Sequence, residues 1–166
     1  AGHFRFDETD KDYVKVYEGA APVFTYVRGE IVPTGVAEDR RRSTYIHPLY
    51  TLDGRPITDD GPKDHPHHRG VGWSWPVTRW KDEVRDIWAT SGVWSRPVAV
   101  RCKAEGPVLA LLEVECVWRW GDETPSVREE VTSRAFRAGP DGARAVDIEV
   151  RLTGLEDRVA IGGRPH

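Results

Sequence analysis

Apolar and polar residues alternate along much of this chain. Between Val108 and Trp120 the even positions read Val108, Ala110, Leu112, Val114, Cys116, Trp118 and Trp120, while Glu113, Glu115 and Arg119 hold odd positions. A period of two is that of a strand with one wet and one dry face, because successive side chains leave an extended backbone on opposite sides. RAVDIEVRL repeats the pattern, with Val146, Ile148, Val150 and Leu152 alternating with Asp147, Glu149 and Arg151. Tyr13 to Tyr17, Val23 to Val27, Val98 to Lys103 and Val127 to Phe136 are further predicted strands. Turn residues separate them at Gly19, Pro22, Gly29, Pro33, Gly106-Pro107, Gly121 and Gly139-Pro140. No segment sustains a helical apolar stripe. Strands with one wet face bury the other against a second sheet, so the pattern predicts an all-β, antiparallel β-sandwich. A single β-sandwich domain over residues 1–166 is expected. The closing VAIGGRPH reads as a strand entering a glycine turn, which predicts that this is the N-terminal part of a longer domain.

Composition narrows the class. The chain has 166 residues, 39% hydrophobic and 31% charged, with a net charge of −3. No apolar run approaches the roughly 20 residues of a membrane span, and the first ten residues carry no signal-peptide pattern. Arg40 to Arg42 form the one basic cluster. They follow Glu38 and Asp39, which predicts a solvated loop and no nucleic-acid partner. If a hairpin turns at Glu105-Gly106-Pro107, Cys102 faces about residue 109 and stays far from Cys116. Two free thiols then imply a reducing, cytoplasmic setting. A homo-oligomer is left open.

Residues 44 to 94 break the rhythm. They hold Pro48, Pro62, Pro66 and Pro76, four of the six histidines and five of the seven tryptophans. A polar, aromatic segment between regular strands is where a site is expected. Within it, DHPHHRG (Asp64 to Gly70) is the most unusual stretch. Pro66 disfavours a helix and biases His65 to extended geometry. An extended chain puts His65 and His67 on one side and Asp64 and His68 on the other.

Three chemistries fit these residue types. In the first, His67 or His68 is a general acid or base, because imidazole titrates near neutrality. Arg69 then holds a carboxylate or oxyanion with its planar fork, and Asp64 and His65 help bind substrate. In the second, His65 and His67 ligate a divalent transition metal with His47 or a carboxylate completing the set, supporting hydrolase or oxygenase chemistry. In the third, the cluster is structural, satisfying carbonyls of a long loop. Trp73 and Trp75, at i and i+2, face one side of a strand and form a candidate stacking platform for a sugar ring. Trp118 and Trp120 read as core. His47 lies between Tyr45 and Tyr50, and the turns at Asp53-Gly54 and Asp60-Gly61 predict that the connection folds back, bringing His47 near DHPHH. Asp82, Glu83 and Asp86 rank lower, as a charged surface loop.

YIHPLYTLDGRPITDDGPKDHPHHRGVGWSW resembles the signature of the PmoA-like bacterial proteins, which genomes often label "methane oxygenase". The motif falls on His47, Asp64, His65, His67, His68, Arg69 and Gly70. The methane-oxidising subunit of that name is an integral membrane protein, so its activity is not implied. The resemblance implies a β-supersandwich of galactose-mutarotase type, a fold that binds or acts on carbohydrates, and a chain that continues further. Together these readings predict an enzyme for a carbohydrate-like small molecule. His67, His68, Arg69 and His47 are its reactive groups, Asp64, His65, Trp73 and Trp75 bind substrate, and no cofactor is needed. The alternatives are the metal enzyme and a non-catalytic sugar-binding module.

Overall fold

The computed structural model describes residues 2–164, and these form three antiparallel sheets with no α-helix among them. The first sheet comprises β1 (Phe4–Asp7), β2 (Tyr13–Glu18), β3 (Ala21–Val27) and β4 (Tyr45–Leu49), in that order. A small sheet joins β5 (Val77–Trp80) to β6 (Glu83–Arg85) on one side and β11 (Ala160–Gly162) on the other. The large sheet is a meander of β7 (Val93–Ala104), β8 (Leu109–Trp120), β9 (Thr124–Phe136) and β10 (Val146–Gly154). No helix among the described residues is long and apolar enough to cross a membrane.

The alternation sorts the faces as expected. Every even residue of β8 from Ala110 to Trp120 is buried, and the odd ones are half-buried. The row divides between two cores. Ala110, Leu112, Val114 and Cys116 pack with Val131 and Ala135 of β9 against Phe4, Val14, Val16, Phe24, Tyr26 and Ile46 of the first sheet. Trp118 and Trp120 pack with Val127, Val93, Ile87 and Trp80 beneath the small sheet. The molecule is therefore a β-sandwich whose long sheet is covered by two shorter ones. Each fully buried apolar side chain of this kind contributes about 1.5–3 kcal/mol relative to exposure.

Two local expectations are corrected. The β7–β8 hairpin carries register shifts between Pro97 and Ala99 and between Val100 and Cys102, so Cys102 faces Glu113. Both thiols are free, and that of Cys116 lies 3.5 Å from the Tyr26 hydroxyl across the sandwich. The arginine triplet is not uniformly solvated either: Arg41 is exposed, but Arg42 is 7% exposed.

The segment 50–71 positions the site. Turns near Thr51 and Arg55 fold it back on β4, with Ile57 N–H donating to Leu49 O at 2.9 Å. Residues 59–61 then run beside 68–70: Gly61 N–H donates to His68 O at 2.8 Å and Gly70 N–H to Asp59 O at 2.9 Å. DHPHH is the tip of this two-stranded arm. The arm docks through an Ile46–Val71 bridge. Gly70 has φ 48°, and a Cβ there would come within 2.7 Å of His47 Cβ, so both the turn and the close approach require glycine.

Candidate functional site

The arm tip does not run extended. His65 N–H donates to Pro62 O at 3.0 Å and His68 N–H to His65 O at 2.9 Å, making two successive turns. Pro66 occupies the second position of the later turn, which its fixed φ suits. The turn overrides the extended preference and brings i and i+3 together. The rings of His65 and His68 stack at 4.6 Å, His67 meets His68 edge-on at 4.6 Å, and Trp88 closes the column 5.8 Å from His68. All three imidazoles therefore share one cluster instead of splitting between two sides. His65 Nδ1 pairs with the exposed Asp64 carboxylate at 3.0 Å, which holds that acid below its ordinary pKa. His67 Nε2 is buried without a partner among the described residues.

The cluster has a consequence for pH. Burial, with the charges of His68 and His65, lowers the pKa of His67 from 6.5. A histidine depressed in the folded state contributes stability at neutral pH that is lost as pH falls from 6.5 through the folded value. A proton NMR titration is expected to show His67 titrating below 6.5; a His67 titrating at or above 6.5 would contradict the packing described. As a metal centre the trio lacks the geometry: among the described residues no group of three or more His, Cys, Asp or Glu is arranged to hold an ion. His47 in particular does not join it.

Arg69 turns away from His67 and His68 into the protein. Its side chain is 1% exposed. Nε donates to Asp60 Oδ1, Nη1 to Arg40 O at 3.3 Å, and Nη2 to Ile31 O at 3.0 Å and Tyr45 Oη at 2.7 Å. Its fork is spent on the protein, so the expected role of holding a substrate oxygen is replaced by a positioning role.

The two tryptophans face one side, as expected, but that side is the core. Trp75 packs on Trp118 with ring centroids 5.6 Å apart, and Trp73 covers the first core. The Trp73 indole N–H donates to Glu129, which also accepts from Trp118 Nε1 and from Ser95 Oγ at 2.9 Å. Glu129 is 1% exposed. Sequence reasoning passed over it, although an acid in the inward row Val127, Glu129, Val131, Ser133, Ala135 of β9 was a legible signal.

What the arm does build is a cavity of about 230 Å³ on the outer face of the first sheet. Tyr13 and Lys15 of β2, Thr25 and Val27 of β3, and Tyr45 and His47 of β4 form its floor. They share a face because the register places Tyr13 opposite Val27, Lys15 opposite Thr25 and Val27 opposite Tyr45. Tyr50 and Asp60, from the folded-back connection, complete the walls. His47 Nδ1 lies 2.9 Å from Thr58 Oγ1, which already accepts from Leu49 N–H at 3.1 Å. This bond fixes the ring through Nδ1, with either atom able to serve as donor, and leaves Nε2 without a side-chain partner in the hydrogen-bond pattern around Thr58. Asp60 accepts from the Tyr45 hydroxyl at 3.0 Å and from Arg69. Desolvation followed by the Asp60 charge raises the Tyr45 pKa, so its phenol stays protonated.

A larger cleft of about 470 Å³ opens beside Tyr26, Val98 and Val100. Two of its charged groups are engaged: Arg28 by Glu8 and the Lys11 carbonyl, and Glu115 by Arg101 and Arg128. The smaller cavity brings aromatic, acid and imidazole groups together around one space.

The sequence pattern of one described family matches residues 13–166. The chain belongs to the family of unknown function DUF6807. The match spans every residue that lines the outer-face cavity and the whole arm. No curated protein and no solved structure matches the chain.

Proposed function

We propose that this DUF6807 protein binds a carbohydrate-like small molecule in the outer-face cavity and acts on it by general acid–base chemistry, with His47 as the proton-transfer group. The observation that carries the reading is the set of three tyrosines, one imidazole held through Nδ1, and one carboxylate around about 230 Å³. Tyrosine rings offer stacking faces and hydroxyls suited to a sugar. An imidazole fixed at one nitrogen presents the other to a substrate hydroxyl. Arg69 acts through Asp60 and Tyr45, setting where they sit. The resemblance of residues 45–75 to PmoA-like proteins, with its implied galactose-mutarotase-like supersandwich, supports the same substrate class. A reducing, cytoplasmic location fits two free thiols. The reading involves neither nucleic acid nor membrane.

The test has two stages. Saturation-transfer NMR against neutral monosaccharides and sugar acids identifies binders, and one-dimensional NMR follows any conversion of a binder. His47→Ala is expected to lower turnover by about 10²–10⁴-fold with binding within a few-fold of wild type, while Tyr50→Ala weakens binding. Undiminished turnover in His47→Ala sinks the catalytic reading. Binding without turnover in the wild type leaves a sugar-binding module in its place.

A further inference from the structure

Arg42 is buried, and the charge of the buried Glu129 acts on it. Its backbone is pinned by reciprocal hydrogen bonds with Ile31, at 3.1 and 2.9 Å. The residue is 7% exposed, and burial lowers its pKa from 12.5 to about 10. Among the described residues its guanidinium donates no hydrogen bond and joins no ion pair. Two acids act on it at a distance, Glu129 and Asp60. Both are committed elsewhere: Glu129 to Trp73, Trp118 and Ser95, Asp60 to Arg69 and Tyr45. A guanidinium carries five donors, and among the described residues no protein acceptor meets them.

A route exists. Gly72 is exposed and lies beside the guanidinium: a Cβ there would be 3.3 Å from Arg69 O, 3.4 Å from Arg42 Nη2 and 3.8 Å from Cζ. Its φ lies outside the left-handed region, so the backbone does not demand glycine there. The missing side chain leaves no Cβ against Nη2 on that approach. The Arg42 nitrogens are also not among the partnerless buried atoms sealed from solvent.

We infer that Arg42, beside Gly72, is a binding site for a small oxyanion, the carboxylate or phosphate group of a ligand docking on the guanidinium fork. The planar fork matches either group bidentately. This site is separate from the tyrosine cavity and does not depend on its function.

Arginine Nε–Hε NMR tests the site by titration with sodium phosphate and, separately, sodium acetate at constant ionic strength. The Arg42 signal is expected to shift saturably, and the melting temperature to rise with the anion. Saturation by phosphate alone assigns a phosphate ester; saturation by both admits a carboxylate. Arg42→Gln is expected to abolish saturation. Gly72→Val keeps the charge but puts a side chain against Nη2, and is expected to weaken binding by at least about tenfold. If Arg42→Gln does not fold, Gly72→Val and Arg42→Lys carry the test, the latter because an ammonium lacks the fork. No saturable shift with either anion means a hydrated guanidinium only. Equal binding by wild type and Arg42→Gln means an adventitious ion only, and unchanged affinity in Gly72→Val removes the route. Each of these three results overturns the proposal.

Discussion

Arg69→Met is expected to cost about 3–5 kcal/mol of folding free energy and to lower the melting temperature by roughly 6–20 °C. Methionine preserves bulk, so the loss is electrostatic. In the wild type, Arg69 satisfies Asp60, the carbonyls of Ile31 and Arg40, and the Tyr45 hydroxyl, with its Cζ 4.9 Å from the centre of the Tyr45 ring. Asp60 is 15% exposed and keeps Tyr45 as its one remaining side-chain donor in the variant. Breaking a buried pair from one side leaves a charge uncompensated, which is costlier than removing both partners. The double variant Arg69→Met with Asp60→Asn is therefore expected to recover part of the loss, with a coupling energy above about 1 kcal/mol. Urea denaturation of the wild type, both single variants and the double variant measures this. A loss below about 1 kcal/mol for Arg69→Met would show that the interior pair is not what holds the arm on β4.

The same residue marks the limit of what the sequence revealed. Strands β2, β7, β8, β9 and β10 were legible because each has a wetter and a drier face, and that difference imposes the period of two; β3, buried from Val23 to Val27, was legible only by its run of β-branched and aromatic residues. β4 was not, since Tyr45 and Ile46 are buried in succession and His47, Pro48 and Leu49 are all half-buried, so no face stands out as wet. The folded-back connection and arm cover the outer face there, and coverage on both faces erases the alternation. Composition singled out DHPHHRG, but the choice between extended chain and turn at Pro66 depends on the pairing of residues 59–61 with 68–70, a non-local fact. The role of Arg69 depends on Ile31, Arg40, Tyr45 and Asp60, which no local spacing brings together. His47 was placed near the arm by its turn signals, and it does meet Gly70; its ring then faces the tyrosine cavity, apart from the other histidines.

Glu129→Gln is expected to cost about 1–3 kcal/mol at neutral pH, although the change is nearly isosteric. Two indole N–H groups and one hydroxyl converge on the carboxylate. A primary amide has one oxygen to accept with, and its NH₂ group points donors at a donor. Its effect on pH dependence separates this account from simple repacking. Desolvation raises the Glu129 pKa above 4.5, against the three donors and the Arg42 charge, which lower it. With the folded value above the unfolded one, the native state binds more protons between the two. This group's contribution is therefore full below the unfolded value and declines as pH rises through the folded one. In Glu129→Gln that decline is absent. Urea midpoints measured from pH ~4 to ~7 are expected to show the wild type losing its advantage over the variant as pH rises across this window. Parallel profiles would mean that Glu129 titrates alike in both states, and that the indole cage offsets its burial in full.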